Sequence, residues 1–357
     1  MAALIEATGL TRRFAVRKPL FGKPVEVHAV NGVDLAVEEG ETFAIVGESG
    51  CGKSTLARLL AGLMPPSDGH VRFRGEDLSG MDAARRKRLR QELQFVFQDP
   101  FASLNPRLSA GTLVGEPLLA HGIGDARSRR ERVSELLRTV GLREEHADRY
   151  PHEFSGGQRQ RIGIARALAT GPSVLIGDEP VSALDVSIQA QVINLLEDLK
   201  AELGLTLIII AHDLTVIRHM ADRVAVMYLG EIVELAQVDE LFARPRHPYT
   251  EALLAAIPMA GRGAARPIEG DPPNPLDPPP GCHFHTRCPH AAERCAAEPP
   301  GLEARDGRMV ACHLAEGLEL TGASGGSVPL TPAVERRFAL YRKAHSVPDM
   351  TGEEKRP

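Results

Sequence analysis

Gly47-Glu48-Ser49-Gly50-Cys51-Gly52-Lys53-Ser54 follows an apolar run, Thr42–Val46, and leads into Ser54–Leu63, whose apolar residues recur at helical spacing. The segment therefore reads as buried strand, glycine-rich turn and helix. Glycine, four residues, then Gly-Lys-Ser is the spacing of a phosphate-binding loop. Glycines let the backbone wrap close to an anion, and its N–H groups converge on phosphate oxygens at a helix N-terminus. Lys53 supplies positive charge to the β- and γ-phosphates. The Ser54 hydroxyl, with Thr55 beside it, suits a Mg²⁺ ion. Cys51 is a small neutral member of the loop with no required chemistry, and its place there suggests sensitivity to alkylation.

A second acidic site lies downstream. Val174-Leu175-Ile176-Gly177-Asp178-Glu179 is an apolar strand ending in two acids. At the C-terminal end of a parallel strand such acids face the ligand crevice. Asp178 fits a partner of Mg²⁺, and Glu179 a general base that orients and deprotonates an attacking water. Gly177 is small for such a strand and suggests tight packing. Further apolar runs alternate with helical ones: a helix at Gly157–Thr170, a helix at Ser187–Leu203 and a strand at Thr206–Ile210. That alternation implies a parallel sheet covered on both faces.

Towards the N-terminus, Leu4–Ala7 and Val33–Val37 read as strands separated by a loop at Arg17–Val27. Residues 109–150 read as helical, with Glu131–Val140 amphipathic. The run Arg85, Arg86, Lys87, Arg88, Arg90 has no interleaved aromatics, so it reads as a solvated helix face and not a nucleic-acid surface. A net charge of -5 likewise gives no reason to expect nucleic acid. The longest apolar run, around Leu205–Ala211, has the length of a strand and not of a bilayer span, and the N-terminus carries no secretory pattern.

Four of the five cysteines, Cys282, Cys288, Cys295 and Cys312, fall in one short stretch. In a chain with no export signal this argues for metal and against disulfides. Four thiolates suffice for a [4Fe–4S] cluster or for zinc. The uneven spacing without Cys-x-x-Cys favours the cluster. His283, His285, His290 and His313 keep zinc open, and four free thiols are the third reading. Such a centre would be structural, holding an extension too short for a core of its own. Before it, Gly261–Pro280 is too rich in Gly and Pro for regular structure, and near the C-terminus Val334–His345 is amphipathic.

Phe154-Ser155-Gly156-Gly157-Gln158 resembles the signature of the ATP-binding-cassette (ABC) family, with Phe154 where leucine is usual. The resemblance implies that Ser155, Gly156, Gly157 and Gln158 face the γ-phosphate of ATP held by a second cassette paired head-to-tail. It further implies roles for Gln98 (touching Mg²⁺ and water), Asp185 in Ser182–Asp185 (crossing the dimer interface) and His212 (contacting the γ-phosphate). Phe14 would stack on adenine, a core aromatic being the bland alternative. The implied fold is α/β: a P-loop NTPase, RecA-like core with an antiparallel β subdomain and an α-helical ABC subdomain, plus a small irregular Cys-rich C-terminal extension. Its divisions are 1–245 for the nucleotide-binding domain (helical part about 99–165), 246–330 for the extension and 331–357 for a tail.

Asp99–Pro106, Tyr150–Arg161, His247-Pro248-Tyr249-Thr250 and Gly281–Pro289 narrow the resemblance to the oligopeptide/dipeptide (or nickel) importer subfamily. That implies a complex at the cytoplasmic face of the cell membrane: a second, different ATPase subunit, two membrane permeases and an extracytoplasmic solute-binding protein. The expected activity is ATP hydrolysis driving peptide import, with nickel or another solute as the alternative. A soluble DNA-repair or translation cassette would need a coiled-coil insertion or two cassettes in one chain. A small-molecule kinase leaves Phe154–Gln158 unexplained. An iron–sulfur carrier accounts only for the C-terminal quarter.

Overall fold

The computed structural model describes residues 3–16, 25–182, 184–257, 268 and 270–323. The expected tail at 331–357, including Val334–His345, lies outside these residues, as do 17–24 of the expected loop and most of 258–269. The strands in chain order are β1 (Ile5–Val16), β2 (Val25–Val37), β3 (Thr42–Val46), β4 (Asp68–Phe73), β5 (Glu76–Asp77), β6 (Leu93–Val96), β7 (Val174–Asp178), β8 (Thr206–Ala211), β9 (Arg223–Tyr228), β10 (Glu231–Gln237), β11 (Glu303–Arg305) and β12 (Arg308–Val310). The helices are α1 (Lys53–Leu60), α2 (Ala83–Glu92), α3 (Pro100–Ser103), α4 (Ala110–His121), α5 (Ala126–Thr139), α6 (Gly156–Leu168), α7 (Val186–Leu203), α8 (Leu214–Met220), α9 (Val238–Ala243), α10 (Pro248–Ala255) and α11 (Glu293–Ala297).

Two sheets form among the described residues. An antiparallel sheet runs β2-β1-β4-β5, and a larger one runs β11-β12-β10-β9-β3-β8-β7-β6. In the larger sheet β6, β7, β8, β3 and β9 are parallel. Every residue of β3, β7 and β8 is buried, which is why each reads as an uninterrupted apolar run instead of an alternating one. Alternation reappears in how they pack. Phe43, Ile45, Ile176, Ile208 and Ile210 join Leu56, Leu59 and Leu60 of α1 on one face. Ala44, Val46, Leu175, Leu207 and Ile209 join Val192, Leu196 and Leu199 of α7 on the other. Each fully buried Val, Leu, Ile or Phe among them stabilises the fold by roughly 1.5–3 kcal/mol.

The helical arm, α3 to α6, closes over Leu113, Val114, Leu136, Leu137, Phe154 and Ile162. The arginines of α2 lie on an exposed face, and Leu89 is the helix's buried residue. This is the solvated-face reading of that basic run.

The extension is small and largely irregular, with a few short elements. Its strand β12 pairs with β10, Glu234 opposite Val310 and Leu235 opposite Met309. Strand β11 then adds to β12. These three-residue strands gain a sheet edge from the larger domain, so the extension continues the main sheet instead of standing beside it. The described part of the proline-rich stretch, residues 270–280, holds neither helix nor strand.

Candidate active site

The strand ends bring the loop residues and acids together. Gly47 has φ 152 and Gly52 φ 109. A Cβ on Gly47 would lie 2.2 Å from the Met227 carbonyl oxygen, and one on Gly52 2.0 Å from that of Ala29. Both positions therefore require glycine, for conformation and for space. Ser49 and Gly50, at the tip, are exposed. Lys53 is buried, and its Nζ donates to the carbonyl oxygens of Gly47 and Glu48, each at 2.8 Å. The lysine charge is thus held inside the loop by its backbone.

Ser54 Oγ donates to Asp178 Oδ1 at 2.7 Å. Asp178 is 1% exposed. Burial pushes its carboxyl up from the ordinary range, opposed by the Ser54 hydroxyl and by Arg58, whose Nη2 lies 3.9 Å away. A hydroxyl and a buried carboxylate side by side are a donor set that suits Mg²⁺.

Glu179 adopts φ 47, the left-handed region, and its N–H donates to Ile210 O at 3.0 Å. Strain of this kind in a non-glycine residue is held in place by its surroundings and concentrates at functional sites. The twist turns the Glu179 side chain towards Gln98, whose Nε2 donates to Glu179 Oε2 at 2.8 Å. The same Oε2 lies 3.6 Å from His212 Nδ1. Gly177 explains the neighbouring backbone: a Cβ there would sit 3.0 Å from Pro180 Cγ and 3.2 Å from Ile209 Cδ1.

The signature residues form a separate cluster. Ser155 caps α6 by accepting from the Gln158 N–H at 3.4 Å, and Gln158 Oε1 accepts from the Ser155 N–H at 3.0 Å. Gly157 packs against Ile188, where an added Cβ would meet Cγ2 at 2.3 Å. Asp185 caps α7 through Ile188 N–H and Ser187 Oγ, at 3.1 and 2.6 Å. Ser155 and Asp185 are exposed. Phe14 is half-buried on β1, with the Arg12 guanidinium carbon 4.8 Å from its ring centre. It is not a core aromatic.

Cys51 departs from expectation. It is buried, and burial pushes its thiol up, so thiolate and reagent access are both suppressed. In the extension, Cys295 is buried, and burial pushes the thiols of Cys282 and Cys288 up to about 11, the other cysteines adding to the rise. The four thiols thus feel one another. Yet the described residues contain no group of three or more His, Cys, Asp or Glu side chains placed to hold a metal ion. A tetrahedral zinc site, which needs its donors around one point, does not fit these positions.

Three residues that the motif reading passed over also bear on the site. Arg58 flanks Asp178. His247, fully buried, accepts the Tyr249 N–H on Nδ1 at 3.0 Å and caps α10, and burial pushes its pKa down to about 3. Tyr249 reaches the phosphate loop itself, its hydroxyl accepting from the Glu48 N–H at 2.8 Å. His247 and Tyr249 stand inside a quoted motif, but the contact of Tyr249 with Glu48 spans 201 residues and has no local signal.

A phosphate loop, two strand-end acids and a capped Ser-Gly-Gly-Gln helix on this topology define a nucleotide-hydrolysing cassette. The sequence matches the family model "ABC transporter" over residues 30–182 and "Oligopeptide/dipeptide transporter, C-terminal region" over residues 233–295. The chain belongs to the ABC transporter ATPase family. It is 50% identical over 319 residues to the di/tripeptide transport ATP-binding protein DppF of Pseudomonas aeruginosa, covering 88% of this chain and 99% of that protein. It is 49% identical over 318 residues to the oligopeptide transport ATP-binding protein OppF of Escherichia coli, covering 87% and 95%. Among solved structures it resembles a dimeric ATP-binding cassette in a post-hydrolysis state with ADP and Pi, at TM-score 0.59 and 31% identity over 66% of this chain and 98% of that one. No helix among the described residues is long and apolar enough to cross a membrane.

Proposed function

We propose that this ATPase powers an importer of di- or oligopeptides, working at the cytoplasmic face of the membrane against two permease subunits and fed by an extracytoplasmic solute-binding protein. The observation that carries the reading is the placement of Ser54–Asp178 and Gln98–Glu179–His212 at neighbouring strand ends, in a chain that also bears the oligopeptide/dipeptide C-terminal region.

The residues take the following roles. Gly47–Thr55 cradle the triphosphate, and Lys53 moves from its backbone carbonyls to the β- and γ-phosphates. Ser54, Asp178 and Gln98 would hold Mg²⁺, which neutralises phosphate charge when bound with the nucleotide. Glu179 accepts a proton from the attacking water while Gln98 and His212 fix its carboxylate. Ser155, Gly156, Gly157 and Gln158 of one cassette cap the nucleotide of the other, with Asp185 at the joint. The exposure of Ser155 and Asp185 suits an interface waiting for a partner. Phe14 receives the adenine. Head-to-tail closure moves the helical arm, about 99–165, against the permeases.

For the four cysteines we keep the [4Fe–4S] cluster as the finer reading, because an irregular, proline-rich loop can wrap a cubane whose iron atoms lie apart. Iron and acid-labile sulfide analysis of anaerobically purified protein tests it, and no step above depends on it.

The test of the transport reading is reconstitution of the chain with its permeases and a second cassette in vesicles. Peptide-loaded binding protein should stimulate ATP hydrolysis. Equal rates with and without it contradict the reading.

A further inference from the structure

Arg287 stands in the extension between Cys282 and Cys288, yet its side chain ends in the phosphate loop. Its Nη1 donates to Glu48 Oε2 at 2.8 Å and its Nη2 to Glu48 Oε1 at 2.9 Å, a two-pronged pair across 239 residues of sequence. The Arg287 side chain is 4% exposed and that of Glu48 23%. Nη1 also lies 3.4 Å from the Tyr228 hydroxyl. A bidentate pair sheltered to this degree is far from an ordinary surface ion pair.

Glu48 is gripped at three places. Its carboxylate is held by Arg287, its N–H by the Tyr249 hydroxyl, and its carbonyl oxygen by Lys53. Arg287 and Tyr249 both come from beyond the sheet's last parallel strand. Their elements are locked together by packed rings: Tyr228 and Tyr249 at 4.6 Å, Tyr228 and Phe284 at 5.4 Å, Tyr249 and Phe284 at 5.3 Å. The grip acts on the residue that follows Gly47 and precedes the exposed tip of the loop.

We propose that Arg287 is a positioning residue for ATP binding, acting through Glu48. Two physical effects point the same way. A loop with glycines at 47, 50 and 52 has much conformational freedom to lose when it wraps a triphosphate, and anchoring residue 48 removes part of that loss in advance. The guanidinium also neutralises a carboxylate that would otherwise stand, sheltered from water, beside the site of a polyanion. Without Arg287 the loop is both looser and more negative.

The inference rests on Gly47–Thr55 being the ATP site, and the experiment separates the two. A non-hydrolysable ATP analogue with Mg²⁺ is titrated into the full-length chain and into Arg287→Met, Arg287→Lys, Glu48→Gln and the Glu48→Gln/Arg287→Met double variant. Melting curves check that each is folded. Arg287→Met should raise Kd by about tenfold, on the order of one sheltered charge interaction, with Arg287→Lys in between. In the Glu48→Gln background the same change should alter Kd by less than about twofold, because its target is gone. Unchanged affinity in Arg287→Met overturns the inference, as does an equal loss with and without Glu48. If Arg287→Met does not fold, Arg287→Lys decides by the same criterion of raised against unchanged Kd. A wild-type chain that binds no analogue sinks the reading of the loop instead.

Discussion

Gln98 Nε2 and His212 Nδ1 both address one oxygen, Glu179 Oε2, at 2.8 and 3.6 Å. The two side chains come from the ends of different strands, so the carboxylate is aimed by the sheet and not by its own rotamer. Gln98→Ala should therefore slow hydrolysis by roughly 10- to 100-fold through loss of aim. Turnover and nucleotide affinity measured together check this, and the loss should lie mainly in kcat.

Asp178 accepts from the Ser54 hydroxyl at 2.7 Å, and both are proposed partners of Mg²⁺. Asp178→Asn keeps an acceptor for the Ser54 hydroxyl but removes the buried charge. The Mg²⁺ concentration for half-maximal ATPase activity should rise by about 10- to 100-fold. An unchanged Mg²⁺ dependence assigns Asp178 to structure alone.

Gly157 lies against Ile188, and an added Cβ would come within 2.3 Å of its Cγ2. Gly157→Ala should destabilise the chain by about 1–3 kcal/mol through overpacking. Ile188→Leu, which has no Cγ2, should restore most of that loss in the double variant. Denaturant unfolding of the four proteins completes the cycle. Additive effects of the two substitutions contradict this packing.

The buried His247 carries a pH dependence with a definite sign. Its folded pKa is pushed down from 6.5 to about 3, so the unfolded chain binds the extra proton between those values. The contribution is present in full above about pH 6.5 and is lost as pH falls towards 3, at about 1.4 kcal/mol per pH unit. His247→Asn keeps an acceptor for the Tyr249 N–H and cannot titrate, so it should flatten the acid limb of stability. The midpoint of urea unfolding at pH 5 and pH 7 tests it.

How much of this was legible in the residues follows from physics. Strands β3, β7 and β8 are buried on both faces, so their apolar runs announce them, and the acids at the end of β7 announce the crevice. Gly177 was legible as a tight spot because a strand otherwise built of large side chains changes size there. The short β11 and β12 carry no such signal, because a three-residue strand owes its form to the edge it joins. Cys51 read as reactive from its loop, but burial decides thiol chemistry, and burial is a tertiary property. The four cysteines were legible as a cluster in sequence, while their positions about a common centre are a matter of three-dimensional placement. Glu48 and Arg287 are unremarkable charged residues until the fold closes 239 positions between them.

The central claim is that this chain hydrolyses ATP with Glu179 as the base. The most direct measurement is ATP binding and turnover by Glu179→Gln against wild type in the reconstituted transporter. The account predicts undiminished affinity for ATP with turnover reduced by about 10²- to 10⁴-fold. Turnover at the wild-type rate in that variant contradicts it.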